Sequence, residues 1–174
     1  MCIRDRFYIR RQGGAYRFCP PDGVWIDVAD FEARLDAARK RIAAGGAESA
    51  EAHEQLALAL SLYQGDYLGD YLYEDWTREE RDRLANRYLE AATLLAELLF
   101  KRGQLADTIR FCEGILARDP CWEDAYRLLM RAYARQGNRR QAMATYDRCV
   151  RNLRAQLDVA PLPQTTQVYE ELKL

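Results

Sequence analysis

Two stretches of the chain repeat one another. Residues 92–120 fall on residues 126–154 at a shift of 34, placing Leu95 on Leu129, Gly103 on Gly137, Thr108 on Ala142, Cys112 on Tyr146 and Ile115 on Cys149. Such a unit is a helix, a glycine turn and a second helix. It cannot bury its apolar stripe alone, so it must stack on neighbours. The second copy carries the pattern more clearly. Tyr126, Leu129, Met130 and Tyr133 stand at i, i+3, i+4 and i+7, Gly137 makes the turn, and Asn138 with Gln141 caps the next helix. Ala142 is the small residue that lets the paired helices approach, with Tyr146 packed beside it. Pro120 closes the first copy, whereas Arg154 replaces it in the second, so that helix is expected to run on to about Leu157.

Thirty-four residues is the tetratricopeptide period. Two clear repeats are fewer than a solenoid needs alone, so the helices upstream must complete the core. From Trp25 onward the pattern is helical. Asp27 with Asp30 predicts a capped start to a first helix, striped by Phe31, Leu35, Ala38 and Ile42 and ending near Gly45-Gly46. A second helix runs from about Ser49 to Tyr63. Thr77-Arg-Glu-Glu80 matches a capping box and opens a long third helix to about Arg102, with Leu84, Tyr88, Leu95 and Leu99 on one face. After Pro161-Leu-Pro163 a short helix over Thr165–Leu172 can cap the stack. The expected fold is all-α, a tetratricopeptide-like array of about seven helices, with Trp25, Trp76, Tyr126 and Tyr133 as packing anchors.

A short β-hairpin precedes the helices. In FYIRRQGGAYRF, from Phe7 to Phe18, apolar and polar residues alternate on either side of Gly13-Gly14, the signature of a tight two-residue turn. Pro20-Pro21-Asp22-Gly23 ends it. Two strands alone are marginally stable, so the hairpin must pack on the helices or on a domain N-terminal to it. Residues 1–6, MCIRDR, fit no pattern downstream and are read as non-native. The chain is therefore expected to begin inside a longer protein.

Composition excludes more than it assigns. The chain is 49% hydrophobic and 30% charged with net charge −1, a soluble globular profile without the basic excess that alone would indicate nucleic acid. Arginine outnumbers lysine 23 to 3, a bias that phosphate recognition and a GC-rich genome both produce. Arg10, Arg11 and Arg17 flank the hairpin turn, either as solvated charges or as contacts to a phosphate backbone. The five cysteines contain no CxxC and fit a reduced, cytoplasmic protein. No run is apolar enough to span a membrane, and no nucleophile elbow, phosphate loop or dinucleotide fingerprint is present, so neither a membrane nor a cofactor is expected. His53, the only histidine, cannot anchor zinc by itself.

The one stretch that could carry chemistry is Tyr63–Trp76, YQGDYLGDYLYEDW. Asp66, Asp70, Glu74 and Asp75 sit there among four tyrosines. Acid/base or metal chemistry would need two of these carboxylates to converge, and their spacing does not suit a calcium loop. The expectation is an irregular connector with packed aromatics and a solvated acidic rim. No catalytic or metal residue is assigned.

Its last residues carry a resemblance. Glu74-Asp75-Trp76, followed by Glu80-Arg81 and Arg83-Leu84, resembles the EDW-x3-ER-x-RL signature of the bacterial transcriptional activator domain, the tetratricopeptide-like half of Streptomyces antibiotic regulatory protein type activators. Val24-Trp25-Ile26-Asp27-Val28 leading to Phe31-Glu32 is similar to the family's opening. Asp124 to Tyr133 resembles its best-kept repeat helix, and Leu157 to Thr165 its closing segment. The doubled GDYL and Asp158, where glycine is common, depart from the pattern.

The resemblance covers about residues 24–172 and implies a non-catalytic regulatory domain over 24–174. It implies that 7–23 is the wing hairpin left from a preceding winged-helix domain, since Ile9-x3-Gly13-Gly14-x-Tyr16-x-Phe18 is similar to the family's wing. DNA would then be reached through the missing N-terminal domain, with Arg10, Arg11 and Arg17 as backbone contacts. Partners would be the transcription machinery, other regulatory domains or a second copy. The alternative is a tetratricopeptide scaffold or peptide-binding module without a transcriptional role.

Overall fold

A computed structural model describes residues 9–19, 24–45, 49–71 and 74–173. The expected non-native residues 1–6 and the Pro20–Gly23 turn lie outside them, as does Gly46. Strands β1 (Ile9–Gln12) and β2 (Ala15–Phe18) form an antiparallel hairpin in which Arg10 pairs with Arg17 and Arg11 with Tyr16. Gly13 and Gly14 both have positive φ, as a primed two-residue turn requires.

Seven α-helices follow among the described residues: α1 (Asp27–Ala43), α2 (Ala50–Leu62), α3 (Asp75–Lys101), α4 (Leu105–Arg118), α5 (Glu123–Arg135), α6 (Arg139–Leu157) and α7 (Pro163–Glu171). Each of the first five packs on the next, α3 also touches α5, and α5 touches α7. This is a stack of helical hairpins closed by a terminal helix. The core has two lobes. Phe31, Leu35, Leu56, Leu95 and Leu99 belong to the first, and Cys112, Ile115, Tyr126, Leu129 and Leu153 to the second. Leu60, Tyr88 and Phe111 pack against both lobes, and α3 contributes side chains to each.

The repeat is visible in the hydrogen bonds. At the end of α3, Gly103 N donates to Phe100 O at 3.0 Å and Gln104 N to Leu99 O at 2.9 Å. At the end of α5, Gly137 N donates to Ala134 O and Asn138 N to Tyr133 O, both at 2.9 Å. All four positions shift by 34, and both turns are Schellman closures built on a left-handed glycine, φ +74° at Gly103 and +78° at Gly137. A Cβ at either glycine would meet nothing within 4 Å, so only the backbone opposes a side chain there. Gly103→Ala and Gly137→Ala are each expected to lower unfolding free energy by about 1–2 kcal/mol. Urea denaturation of the two variants checks this, and a cost at one but not the other would break the equivalence of the two turns.

The helix starts differ from two of the three expected caps. Asn138 caps α6 as anticipated, its Oδ1 accepting from Gln141 N at 3.1 Å. The box at Asp27 does not form: Ile26 takes the N-cap position, Asp27 accepts from Val28 N, and Asp30 is engaged by Trp25 and Arg34. The box at Thr77 does not form either. Helix α3 begins at Asp75, so Thr77 lies inside its first turn, where its buried hydroxyl donates back to Glu74 O at 2.9 Å. Glu80 is held by Arg83 instead.

The C-terminal end is fixed by specific contacts. Glu123 accepts from Leu162 N at 2.9 Å, Arg127 donates to Thr165 Oγ1 at 2.9 Å, and Tyr146 stacks on Tyr169 with ring centroids 3.9 Å apart. Asp158, where α6 ends, adopts φ +53°, a conformation Asp tolerates better than most residues other than glycine.

Candidate functional site

The three arginines of the hairpin are exposed. Arg10 and Arg17 are register partners, so their side chains share one face, while Arg11 lies on the other. Like charges directly opposite on a two-stranded sheet repel, and an anion placed between them relieves that repulsion.

The acidic connector between α2 and α3 builds the larger feature. Tyr63, at the end of α2, packs inward: its ring lies 6.2 Å from Phe31 of α1 and 4.5 Å from Tyr88 of α3. The Arg118 guanidinium sits over both tyrosines, 5.2 Å from the ring of Tyr63 and 4.7 Å from that of Tyr88. Burial, then the Asp66 carboxylate beside it, push the Tyr63 phenol up, so its hydroxyl stays protonated and donates to Asp66 at 3.4 Å. Arg81 of α3 holds the connector from below, with Nε donating to Tyr67 O at 3.3 Å and Nη2 to Tyr71 O at 3.1 Å. A single 3-10 turn over Gly69–Tyr71 leads into α3. Leu68, just before it, has φ +50°, a strained value for a branched side chain.

Between this connector and the start of α1 lies a cleft of about 430 Å³. Trp25, Phe31, Tyr63 and Tyr67 supply aromatic walls, and Asp27 and Asp66 supply carboxylates. Trp25 is oriented by its indole N–H, which donates to Asp30 Oδ2 at 3.2 Å, and Asp30 is in turn paired with Arg34 at 3.0 Å. A second recess of about 270 Å³ lies beside it, between Asp66, Tyr88 and Arg118. Of the connector's four carboxylates only Asp66 lines these spaces. Among the described residues, no group of three His, Cys, Asp or Glu side chains could hold a metal ion.

The aromatic residues expected as anchors divide. Tyr126 is completely buried, and Tyr133 is half-buried against the same lobe. Trp25 and Trp76 are corrections: they are 66% and 67% exposed, and neither belongs to a core lobe. Trp76 falls in the first turn of α3 with its ring 6.5 Å from Tyr71, on the outer side of a helix whose buried stripe begins at Thr77. The tryptophan that packs is Trp122, whose indole donates to Thr93 Oγ1 at 2.9 Å while its ring lies on the second lobe. Its position directly before α5, just past Pro120, was the available signal.

Comparison with known proteins places this architecture. The family model of the bacterial transcriptional activator domain matches residues 26–173. Among solved structures the chain is similar to Mycobacterium tuberculosis EmbR in complex with a low affinity phosphopeptide, with 24% identity, TM-score 0.84, and 97% of this chain and 44% of that chain covered. It spans less than half of the EmbR chain. It is also similar to the TPR2B-domain:pHsp70 complex of yeast Sti1, with 14% identity, TM-score 0.52, and 83% and 97% of the two chains covered. These are likenesses of fold. No curated protein matches the chain. The family model spans the helical stack from the N-cap of α1 to the residues after α7, and the chain belongs to the bacterial transcriptional activator domain family.

Proposed function

We propose that this chain is the non-catalytic regulatory and protein-interaction part of a bacterial transcriptional activator that works in the cytoplasm. The observation that carries the reading is the family match over the whole helical stack. No helix among the described residues is long and apolar enough to cross a membrane. EmbR is described in complex with a phosphopeptide and the Sti1 domain with pHsp70, which is in keeping with a role in protein contacts. Partners of this chain would be transcription machinery, other regulatory domains or a second copy.

The hairpin is, on this proposal, the wing of a winged-helix domain whose recognition helix lies outside this sequence. Arg10, Arg11 and Arg17 would meet phosphates, which position a protein without reading bases. The chain alone is therefore expected to bind duplex DNA weakly, without sequence preference, and with a steep loss as salt rises. Fluorescence anisotropy across a salt series checks this. Replacing the three arginines with alanine should reduce the slope of log K against log salt by up to about 2–3. Tight, sequence-specific binding by this chain would contradict the proposal. So would a domain other than a helix-turn-helix encoded upstream of Phe7 in the parent gene.

A further inference from the structure

The cleft between α1 and the connector combines two features that the transcriptional reading leaves unused, aromatic faces and unpaired negative charge. We propose that it is a docking site for an arginine side chain presented by a segment of a partner protein. The proposal stands on the cleft and does not rest on the transcriptional role.

Its volume, about 430 Å³, is in the range of ligand sites. Trp25, two-thirds exposed and fixed by Asp30, offers an open indole face, and Tyr63 and Tyr67 face the same space. Ring faces attract a cation, and a flat guanidinium stacks on them better than a compact ammonium does. The chain contains its own precedent. Arg118 lies over Tyr63 and Tyr88, so this aromatic cluster already accommodates one guanidinium.

The charge argues in the same direction. Asp27 and Asp66 form no ion pair among the described residues. Residues 65–75 hold four acids and no base. Asp27 and Asp66, the two carboxylates that line the cleft, would repel a phosphorylated or acidic peptide, so the occupant is cationic. Shape is imposed in advance: Arg81 pins the connector through Tyr67 O and Tyr71 O, and Leu68 is held at positive φ. Strain of this kind persists where surrounding contacts over-determine the backbone, and it clusters at ligand clamps.

The test is a titration of the full chain with a capped Ser-Gly-Arg-Gly-Ser peptide, followed by the 1H–15N signal of the Trp25 indole, which Trp25→Phe assigns. A saturable shift is expected, weaker at high salt. The matched peptides with glutamate or phosphoserine in place of arginine should give none. Asp66→Asn, followed by the same signal, and Trp25→Ala, followed by isothermal titration calorimetry, should each weaken binding by about fivefold or more. Both are exposed positions, and far-UV circular dichroism confirms that the variants are folded. An equal response to the acidic peptides would overturn the proposal, as would an arginine response unchanged in both variants. Absence of any saturable shift in the folded chain would overturn it too. None of these outcomes changes the expected DNA behaviour of the hairpin.

Discussion

Tyr126→Ala is expected to lower unfolding free energy by about 3–5 kcal/mol, the cost of emptying a buried aromatic site that cannot collapse around alanine. The ring is fully enclosed where α4, α5 and α6 meet. Its hydroxyl donates to Pro120 O at 3.0 Å and accepts from Asn152 Nδ2 at 2.7 Å, which ties the turn before α5 to α6. The Arg148 guanidinium lies 5.4 Å from the ring centroid and is itself held by Glu113 of α4 through two bonds, at 2.9 and 3.1 Å. Removing the ring therefore takes away a contact surface for three helices and the backing of a half-buried ion pair. Tyr126→Phe separates the two effects. It keeps the volume and loses the hydroxyl, so it should cost about 1 kcal/mol. Domains of this size are typically stable by only about 5–15 kcal/mol, so the alanine variant should show a much earlier urea midpoint. Equal midpoints for the two variants would mean that the hydrogen bonds, and not the packing, hold this junction.

The second lobe was largely legible in the sequence because its elements obey local rules. Gly103 and Gly137 mark left-handed turns, Asn138 is a cap of one residue type, and Tyr126, Leu129 and Met130 keep a helical period. The first helical pair carries no 34-residue match. Its turn glycine, Gly45, between α1 and α2, also sits at positive φ, but α2, the connector and the long α3 separate it from Gly103 by far more than one repeat. The capping boxes at Asp27 and Thr77 failed for a different reason. A motif of two polar residues states what could pair locally, whereas Trp25 and Arg34 took Asp30, and Arg83 took Glu80.

The cleft was not legible at all. Tyr63–Trp76 reads as an acidic connector over packed aromatics, and Tyr63 does pack between Phe31 and Tyr88. The space in front of it exists only because α1 brings Trp25 and Asp27 alongside. Trp25 and Trp76 were expected inside because large aromatics bury the most area. At the edge of a helix start the same ring can stay outside, and then it becomes a surface for something else.

Leu56→Ala is expected to cost about 2–5 kcal/mol and to spend that loss unevenly along the chain. Leu56 is completely buried on α2 in the first lobe, with Phe31 and Leu35 of α1 and Leu95 of α3 in the same cluster. Little else fastens α1 to α3. Arg83, Arg87 and Arg39 pair with Glu32, Asp36 and Glu90 across that interface, but pairs this exposed are each worth about 0–1 kcal/mol. In a stack whose units touch mainly their neighbours, a loss in an end unit stays local unless the shared contacts transmit it. Those contacts are few: Leu60, Tyr88 and Phe111 are the partly buried residues that pack on both lobes. Hydrogen exchange of Leu56→Ala should therefore show α1 and α2 losing protection while α4 to α7 keep theirs. The long α3 should divide, with its N-terminal turns exchanging with the first lobe. A uniform loss from α1 to α7 would show instead that Tyr88 and Phe111 couple the lobes into one cooperative unit. In that case an event at the cleft, which borders Tyr63 and the second recess under Arg118, would reach the far end of the stack.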